Sequence, residues 1–417
     1  MSSSLHECCL KRSEAIRNEF PMLSVVENGH PMVYFNNAAT AMTPKSVINA
    51  MTEYYEEYGV NIARGVDAIG YRATHLFEAT RVKVADFLGA ERSDSVVFTR
   101  GTTAALNLVC SSFGNLVVEA GDEIIVSGGE HHANYIPWQQ LAKNKGAQLV
   151  LAELDEDGKV TPEALQKAMT PKTKLVALFH ISNVMGAVHD VKALAKVAHD
   201  GGAYFVCDGA QGIVHDQINV VETDVDFYAF SGHKLFGPTG VGVLYGKYDL
   251  LKRMPPIEFG GEMISLVDVY DTTFADPPHR FEAGTMPIAE VIGLGKAIDY
   301  VNRYGYCAMQ RRVEYLTSIA VEKLQAQPNV TIYNPHNYAS GIICFNIEGI
   351  HPHDAAGIYD REGISLRAGH HCSQPMMREL KQFATLRASL AFYNTEEEVE
   401  RFVEATEMAG DFLDILF

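Results

Sequence analysis

The stretch DFYAFSGHKLFGPTG, Asp226 to Gly240, decides the reading of this chain. Its first part, DFYAF, is short, aromatic and apolar, the pattern of a core strand. The second part holds Lys234 between that strand and a glycine-rich turn. Desolvation at such a place lowers the pKa of a lysine and frees its amine as a nucleophile, which a Schiff base with an aldehyde cofactor requires. Ser231 and His233 beside it are hydrogen-bond donors suited to a phosphate. A surface lysine in a strand-to-loop turn would carry the same local pattern, so the decision falls to residues further up the chain.

AYFVCDGAQG (Ala203 to Gly212) is a second apolar strand, ending in an acid, small residues and an amide. Asp208 there would face a ring nitrogen and keep it protonated by its charge. Ala210 is small enough to lie against a flat ring, and Gln211 can donate to a phenolic oxygen. An acid and a lysine at the ends of two successive core strands point to pyridoxal phosphate. FTRGTTAALN (Phe98 to Asn107) reads as strand, glycine turn and helix start, which aims backbone N–H groups and the hydroxyls of Thr102 and Thr103 at an anion. An ordinary capped helix has the same pattern. EHHANYIPW offers His131 to stack on the ring and move protons, and HISNVMG offers Asn183 to the phenolic oxygen or a substrate carboxylate. GPTGVGVLYGK fails as a phosphate loop, because Val241 stands where the first glycine belongs and Tyr248 replaces the metal-binding hydroxyl.

Strand-like apolar runs recur at 95–99, 123–127, 148–154, 174–182, 203–208, 226–230 and 240–246. Helix-period stretches such as TPEALQKAMT and VKALAKVAHDGG separate most of them. This alternation implies an α/β fold with a mainly parallel sheet covered on both faces, and ligands beyond the carboxyl ends of its strands. A second block begins near residue 300, where GIICFNIEG and RASLAFYN (387–394) read as strands and Thr395 with Glu398 forms a capping-box signal for a last helix.

The 417 residues leave room for two or three domains, and 47% apolar content supplies large cores. A net charge of −18 with no basic block argues against nucleic acid or an anionic membrane as a partner. The segment MSSSLHECCLKRSE has no apolar core of a signal peptide, and no apolar run is long enough to span a bilayer. Seven scattered cysteines without a CxxC pair fit reduced thiols in a cytoplasmic protein. Two of them, Cys8 and Cys9, are adjacent near the amino terminus.

SLRAGHHCSQPMM (Ser365 to Met377) places Cys372 after two histidines, in a turn opened by Arg367 and Gly369. Such an electropositive setting favours thiolate. Zinc held by His370, His371 and Cys372 would lack a second cluster at finger-like spacing, and no metal is expected. A buried, inert cysteine is the stronger alternative.

Taken in order, these motifs resemble the group II (Suf and Csd type) cysteine desulfurases, which are fold-type I pyridoxal-phosphate enzymes of aminotransferase class V. The cysteine stretch is similar to that group's R-x-G-H-H-C-A type loop, with Ser373 at the last position, and the likeness runs from VYFNNAAT (33–40) to RASLAFYNTEEEVE. The resemblance implies a mainly parallel seven-stranded sheet plus a smaller α+β carboxy-terminal domain. It implies a large cofactor-binding domain over 29–299, and a small domain from 1–28 and 300–417 that takes in the amino-terminal helix. It implies pyridoxal phosphate contacted by Thr102, Thr103, His131, Asp208, Gln211, Ser231, His233 and Lys234, with Thr285 of FEAGT reaching the neighbouring subunit's phosphate in a homodimer.

The implied reaction converts L-cysteine to L-alanine, with Lys234 moving the Cα proton, His131 assisting, and Asn183, Arg367 and Arg387 at the substrate. Arg387 would take its carboxylate, a bidentate task that suits arginine. Sulfur would pass to Cys372 as a persulfide and then to a small acceptor protein. A lyase acting on selenocysteine or another amino acid is an alternative, as is a sulfur-relay partner with little turnover. The set of Lys234, Asp208 and Arg387 argues against the relay. The chain departs from the family pattern at Asn36, at Ala63 and Asp67 (where histidines are usual, while Arg64 is kept), at Ala104 and at Met286-Pro287.

Overall fold

The computed structural model describes residues 14–63 and 66–416, so Cys8, Cys9 and Arg64 lie outside the described residues. Seven strands make the central sheet: β1 (Val96–Thr99), β2 (Glu123–Ser127), β3 (Gln148–Ala152), β4 (Thr173–Phe179), β5 (Tyr204–Asp208), β6 (Phe227–Ser231) and β7 (Gly242–Gly246). Their order is β1-β7-β6-β5-β4-β2-β3. β7 runs antiparallel to both neighbours, β1 and β6. The other pairs are parallel. The exception has a length reason: the connection from β6 to β7 carries only the 3₁₀ turn Gly232–Lys234 and no α-helix, and a parallel return needs a longer crossover.

Side chains alternating along each strand feed two cores. Phe205 and Cys207 of β5 join the core that packs against α1 (Lys45–Glu57), α2 (Ala68–Leu88), α5 (Val191–Asp200) and α6 (Ile288–Tyr304). Val206 faces the other core, under α3 (Thr102–Val109) and α4 (Ile136–Lys145). Burial on both faces is why these strands read as nearly unbroken apolar runs. α5 shows the complementary helical rule: Val191, Leu194, Ala195 and Ala198 are buried at helix-face spacing, and Asp190 caps the start by accepting the Ala193 N–H at 3.0 Å.

A second, antiparallel sheet has the order β8-β9-β11-β10, from β8 (Val330–Ile332), β9 (Ile342–Ile347), β10 (Arg367–Gly369) and β11 (Thr385–Ser389). α7 (Tyr306–Gln325) and α8 (Glu396–Leu416) close its core with Leu316, Ala320, Val399 and Phe402. The strand expected over 387–394 ends at Ser389, because Asn394 turns the chain by accepting the Ala391 N–H at 2.7 Å. The capping box then forms in both directions, Thr395 N–H to Glu398 and Glu398 N–H to Thr395 Oγ1.

We propose that the two sheets mark two structural units. Their contacts fall differently from the expected edges at 29 and 299. The short strand Val33–Tyr34 pairs with Ile364–Ser365, and Val33 and Phe35 belong to the carboxy-terminal core. α6 runs through residue 299 to Tyr304 and stops at Gly305. The described amino-terminal segment ties to both units: Arg17 pairs with Glu398 at 2.8 Å, and Phe20 packs against Tyr300 and Tyr393. Among the described residues no helix is long and apolar enough to cross a membrane.

Arg81 of α2 and Glu282 form a buried ion pair at 2.7 Å, and Glu282 also accepts the Phe98 N–H at 2.7 Å. Removing the cation leaves a buried carboxylate without its main partner. Arg81→Met is expected to destabilise the fold by about 3–5 kcal/mol in denaturant titration. A change below 1 kcal/mol would contradict this account of the pair.

Candidate active site

Parallel strands converge their carboxyl ends on one edge, and the chemistry-bearing residues leave the sheet there. Thr102 follows β1, His131 follows β2, Asn183 follows β4, Asp208 ends β5 and Lys234 follows β6. Arg367 on β10, His371 in the loop after it, and Arg387 on β11 approach from the side of the second sheet. Together these residues line one cavity of about 210 Å³, with Gln211, Ser231, His233 and Thr103. Thr285 is not brought to it; that residue lines a separate cavity of about 600 Å³ with Phe98, Ile257 and Phe281.

The cavity is rich in positive charge. Lys234 is desolvated, and burial brings its amine down to about 8, with Asp208 opposing and Arg387 and Arg367 reinforcing the shift. Among the described residues Asp208 is the one acidic side chain of the lining. Burial raises its carboxyl, against a hydrogen bond from the Ala210 N–H at 2.9 Å and the charge of Lys234. Arg367 and Arg387 stand directly opposite each other in the β10–β11 ladder, an arrangement that repels. Burial, then Arg367, bring Arg387 down to about 10. Its Nη1 donates to the Asn183 carbonyl at 2.8 Å, while its buried Nε has no partner among the described residues.

Other expected residues are present with more specific tasks. His131 Nδ1 accepts the Ala133 N–H at 3.1 Å, and burial lowers the ring to about 3, so it is neutral with its proton on Nε2. Gln211 spends one amide N–H on the Ala38 carbonyl at 2.7 Å. Burial lowers His233 to about 4, and its Nδ1 lies 3.1 Å from Thr40 Oγ1. The Thr102 N–H, expected to face an anion, instead donates to Ser231 Oγ at 2.8 Å, and the two hydroxyls are 2.7 Å apart. A serine hydroxyl placed at the helix start satisfies that otherwise orphaned donor first.

The cysteine loop is docked by its backbone. Asn183 Nδ2 donates to the His371 carbonyl at 2.7 Å, the His132 N–H to the Cys372 carbonyl at 2.7 Å, and Ser373 Oγ to the Glu130 carbonyl at 3.0 Å. His371 and Cys372 both have positive φ, 53° and 58°, a conformation non-glycine residues adopt at a cost. Arg367 Nη2 lies 3.3 Å from Cys372 Sγ.

Two of these tasks were missed in the sequence. Glu130 is fully buried, accepts from Ser127 and Asn134 at 2.7 Å, and is raised to about 8 by burial. Asn134 in turn accepts from Trp138 Nε1 at 3.0 Å. The four-residue spacing of Glu130, Asn134 and Trp138 was the available signal. Thr385, 2.9 Å from His371 Nε2, carried none. Of the departures from the family pattern, Asp67 caps α2 by accepting from Ile69 and Gly70, a task aspartate performs well. Asn36 Oδ1 stands 3.5 Å from Arg387 Nη2.

A family model for aminotransferase class-V matches residues 33–402. The chain belongs to that family, whose fold is that of the fold-type I pyridoxal-phosphate enzymes. A Halalkalibacterium halodurans protein named probable cysteine desulfurase is 44% identical over 402 residues, 96% of this chain and 99% of that one. Two solved structures are similar throughout: the Escherichia coli cysteine desulfurase CsdA in an S-sulfonic acid form (TM-score 0.89, 37% identity) and an apo cysteine desulfurase from Thermococcus onnurineus NA1 (TM-score 0.90, 39% identity). Each likeness covers 96% of this chain and 98% of the other. Within the family, the chain falls among the group II cysteine desulfurases.

The neutral amine is the form that attacks an aldehyde, so the Lys234 shift has a direct readout. In protein freed of cofactor, borohydride trapping of Lys234 by a small aldehyde should rise with pH through a midpoint near 8. Asp208→Asn should lower that midpoint and Arg387→Leu raise it, each by about one pH unit. A midpoint typical of exposed lysines would contradict the desolvation argument.

Proposed function

We propose that the chain converts L-cysteine to L-alanine with pyridoxal phosphate as cofactor, holding the released sulfur on Cys372 as a persulfide. The observation that carries this reading is the division of charge in one cavity, with a desolvated lysine and a buried carboxylate at one part and, at another, two arginines without a carboxylate partner among the described residues; the Cys372 thiol stands just outside it, 3.3 Å from Arg367.

The residues present fit the cofactor. Asp208, whose ionised form is penalised by burial, gains a counter-charge if a protonated ring nitrogen is placed against it. Lys234 has the depressed amine that an aldehyde partner needs, and neutral His131 and small Ala210 supply flat and close walls. Thr102, Thr103, Ser231, His233 and Gln211 would hold its phosphate and phenolic oxygens. Bound there, pyridoxal phosphate supplies an electron sink for negative charge developing at the substrate Cα.

This chain's own residues then divide the work. Arg387, with its free Nε, binds the substrate carboxylate, and Arg367 adds charge on the same side. Asn183 holds both Arg387 and the cysteine loop, so it aligns carboxylate site and thiol. Lys234 Nζ takes the Cα proton. The Cys372 thiolate attacks the substrate sulfur; an S–S bond forms, the C–S bond breaks, and its electron pair stays with the three-carbon skeleton, which is protonated to alanine. Arg367 at 3.3 Å stabilises negative charge on Cys372 before attack.

We further propose a homodimer in the cytoplasm that passes sulfur to an acceptor thiol. Support for the homodimer is the exposed apolar hairpin Ile264–Phe274, with Leu266, Val267, Val269 and Tyr270 open to solvent. Thr285, away from its own chain's cavity, is free to serve a second copy.

The test is alanine formation from L-cysteine by cofactor-loaded protein. Wild type should produce alanine, Cys372→Ala should lose turnover while keeping the cofactor's visible absorption, and Lys234→Ala should lose both. Arg387→Leu should raise the apparent KM for L-cysteine about 10- to 100-fold. Equal alanine production by wild type and Cys372→Ala would reject the thiol's role.

A further inference from the structure

Cys372 lines a second cavity, of about 470 Å³, whose lining shares only Thr103, His131 and Ala133 with that of the 210 Å³ cavity. Two helix faces form its walls. α3 and the turn after it present Thr103, Asn107 and Ser111, and α4 presents Ile136, Gln140 and Asn144. Each set steps by four residues, the spacing that puts side chains on one face. Cys372, His131 and His132 lie at the head of this cleft.

Its electrostatic character is unlike the rest of the molecule. Among the described residues no Asp, Glu, Lys or Arg lines it, in a chain of net charge −18. His131 is neutral, and burial favours the neutral ring of His132 as well. A small anion entering here meets no lining carboxylate to repel it, and the cation nearest the thiol, Arg367, stands outside the lining. The volume is in the range of small-molecule sites, roughly 300–1,000 Å³.

We propose that this outer cleft is the acceptor site for a small free thiol, which takes the sulfur from Cys372 apart from the substrate carboxylate site. The inference rests on the desulfurase reading above and adds the place and class of the acceptor. The acceptor thiol gives its proton to solvent, and its thiolate attacks the outer sulfur of the Cys372 persulfide. An S–S bond to the acceptor forms as the S–S bond to Cys372 breaks, and the electron pair returns to Cys372 as thiolate. The transferred sulfur keeps its oxidation level, so no external oxidant or reductant is consumed. Arg367, beside Sγ, favours the leaving thiolate.

The two halves of the reaction separate in time. With cofactor-loaded enzyme and L-cysteine, the initial burst of alanine reports formation of the persulfide, and the steady rate with 2-mercaptoethanol reports its removal. The steady rate in wild type should saturate with 2-mercaptoethanol, as occupancy of a site requires. Gln140 and Asn144 are exposed on α4, so Gln140→Trp and Asn144→Trp should fill the cleft without unfolding the chain. Both should keep the burst and lower the steady rate about tenfold, the effect of a modest loss of transition-state access; Gln140→Ala should keep both phases. Unchanged steady rates in both tryptophan variants, a strictly linear dependence on thiol, or turnover with a protein thiol but none with 2-mercaptoethanol would overturn the proposal. A change in subunit assembly caused by the tryptophans would also overturn it, by making the cleft a contact between copies. Absence of the burst in wild type would instead refute the desulfurase reading itself.

Discussion

Positive charge in excess of its resident counter-charge is the constraint on which the rest of this site depends. Arg367 and Arg387 face each other across a strand pair, and Lys234 stands in the same cavity with Asp208 as its one acid. Left alone, the half-buried Arg367 and the buried Arg387 would push their strands apart. The fold resists because β11 is buried along its whole length and Arg387 is anchored to the Asn183 carbonyl across the two sheets. The stored imbalance defines what must enter: a ligand with a cationic ring for Asp208 and an anionic group for the arginines.

The same principle governs the thiol. Two consecutive residues, His371 and Cys372, are held in the left-handed region, which costs on the order of 1–3 kcal/mol each. Hydrogen bonds to the His371 and Cys372 carbonyls and from Ser373 offset that cost and fix the loop between the sheets. A thiol on a loop tied at three points has little freedom to wander, and Arg367 gives it a cationic neighbour. The network of Ser127, Glu130, Asn134 and Trp138 does the corresponding work for His131, whose turn docks against this loop.

Much of this was legible in the chain itself, for definable reasons. Strands buried on both faces leave continuous apolar runs, so the inner strands were readable to within a few residues, and the edge strand β3 was readable from its apolar run although most of it is exposed or half-buried. Asp208 and Lys234 stood out because each ends an apolar run with a charge that a core tolerates only for a purpose. Arg367 and Cys372 were marked by their spacing around two histidines. What could not be read were consequences of the meeting of distant segments. The opposition of Arg367 and Arg387 depends on strand register, the diversion of the Thr102 N–H to Ser231 spans 129 residues, and the role of Asn183 as a clasp appears only once His371 is beside it. The end of β11 at Ser389 was masked by an apolar continuation whose turn is set by the side chain of Asn394.

The most direct measurement is the mass of the peptide carrying Cys372 after brief exposure of the cofactor-loaded protein to L-cysteine, with rapid alkylation. The account predicts that one additional sulfur atom resides on Cys372 in the wild type, and that none does in Lys234→Ala. Alanine released by the wild type with no sulfur retained on Cys372 would contradict it.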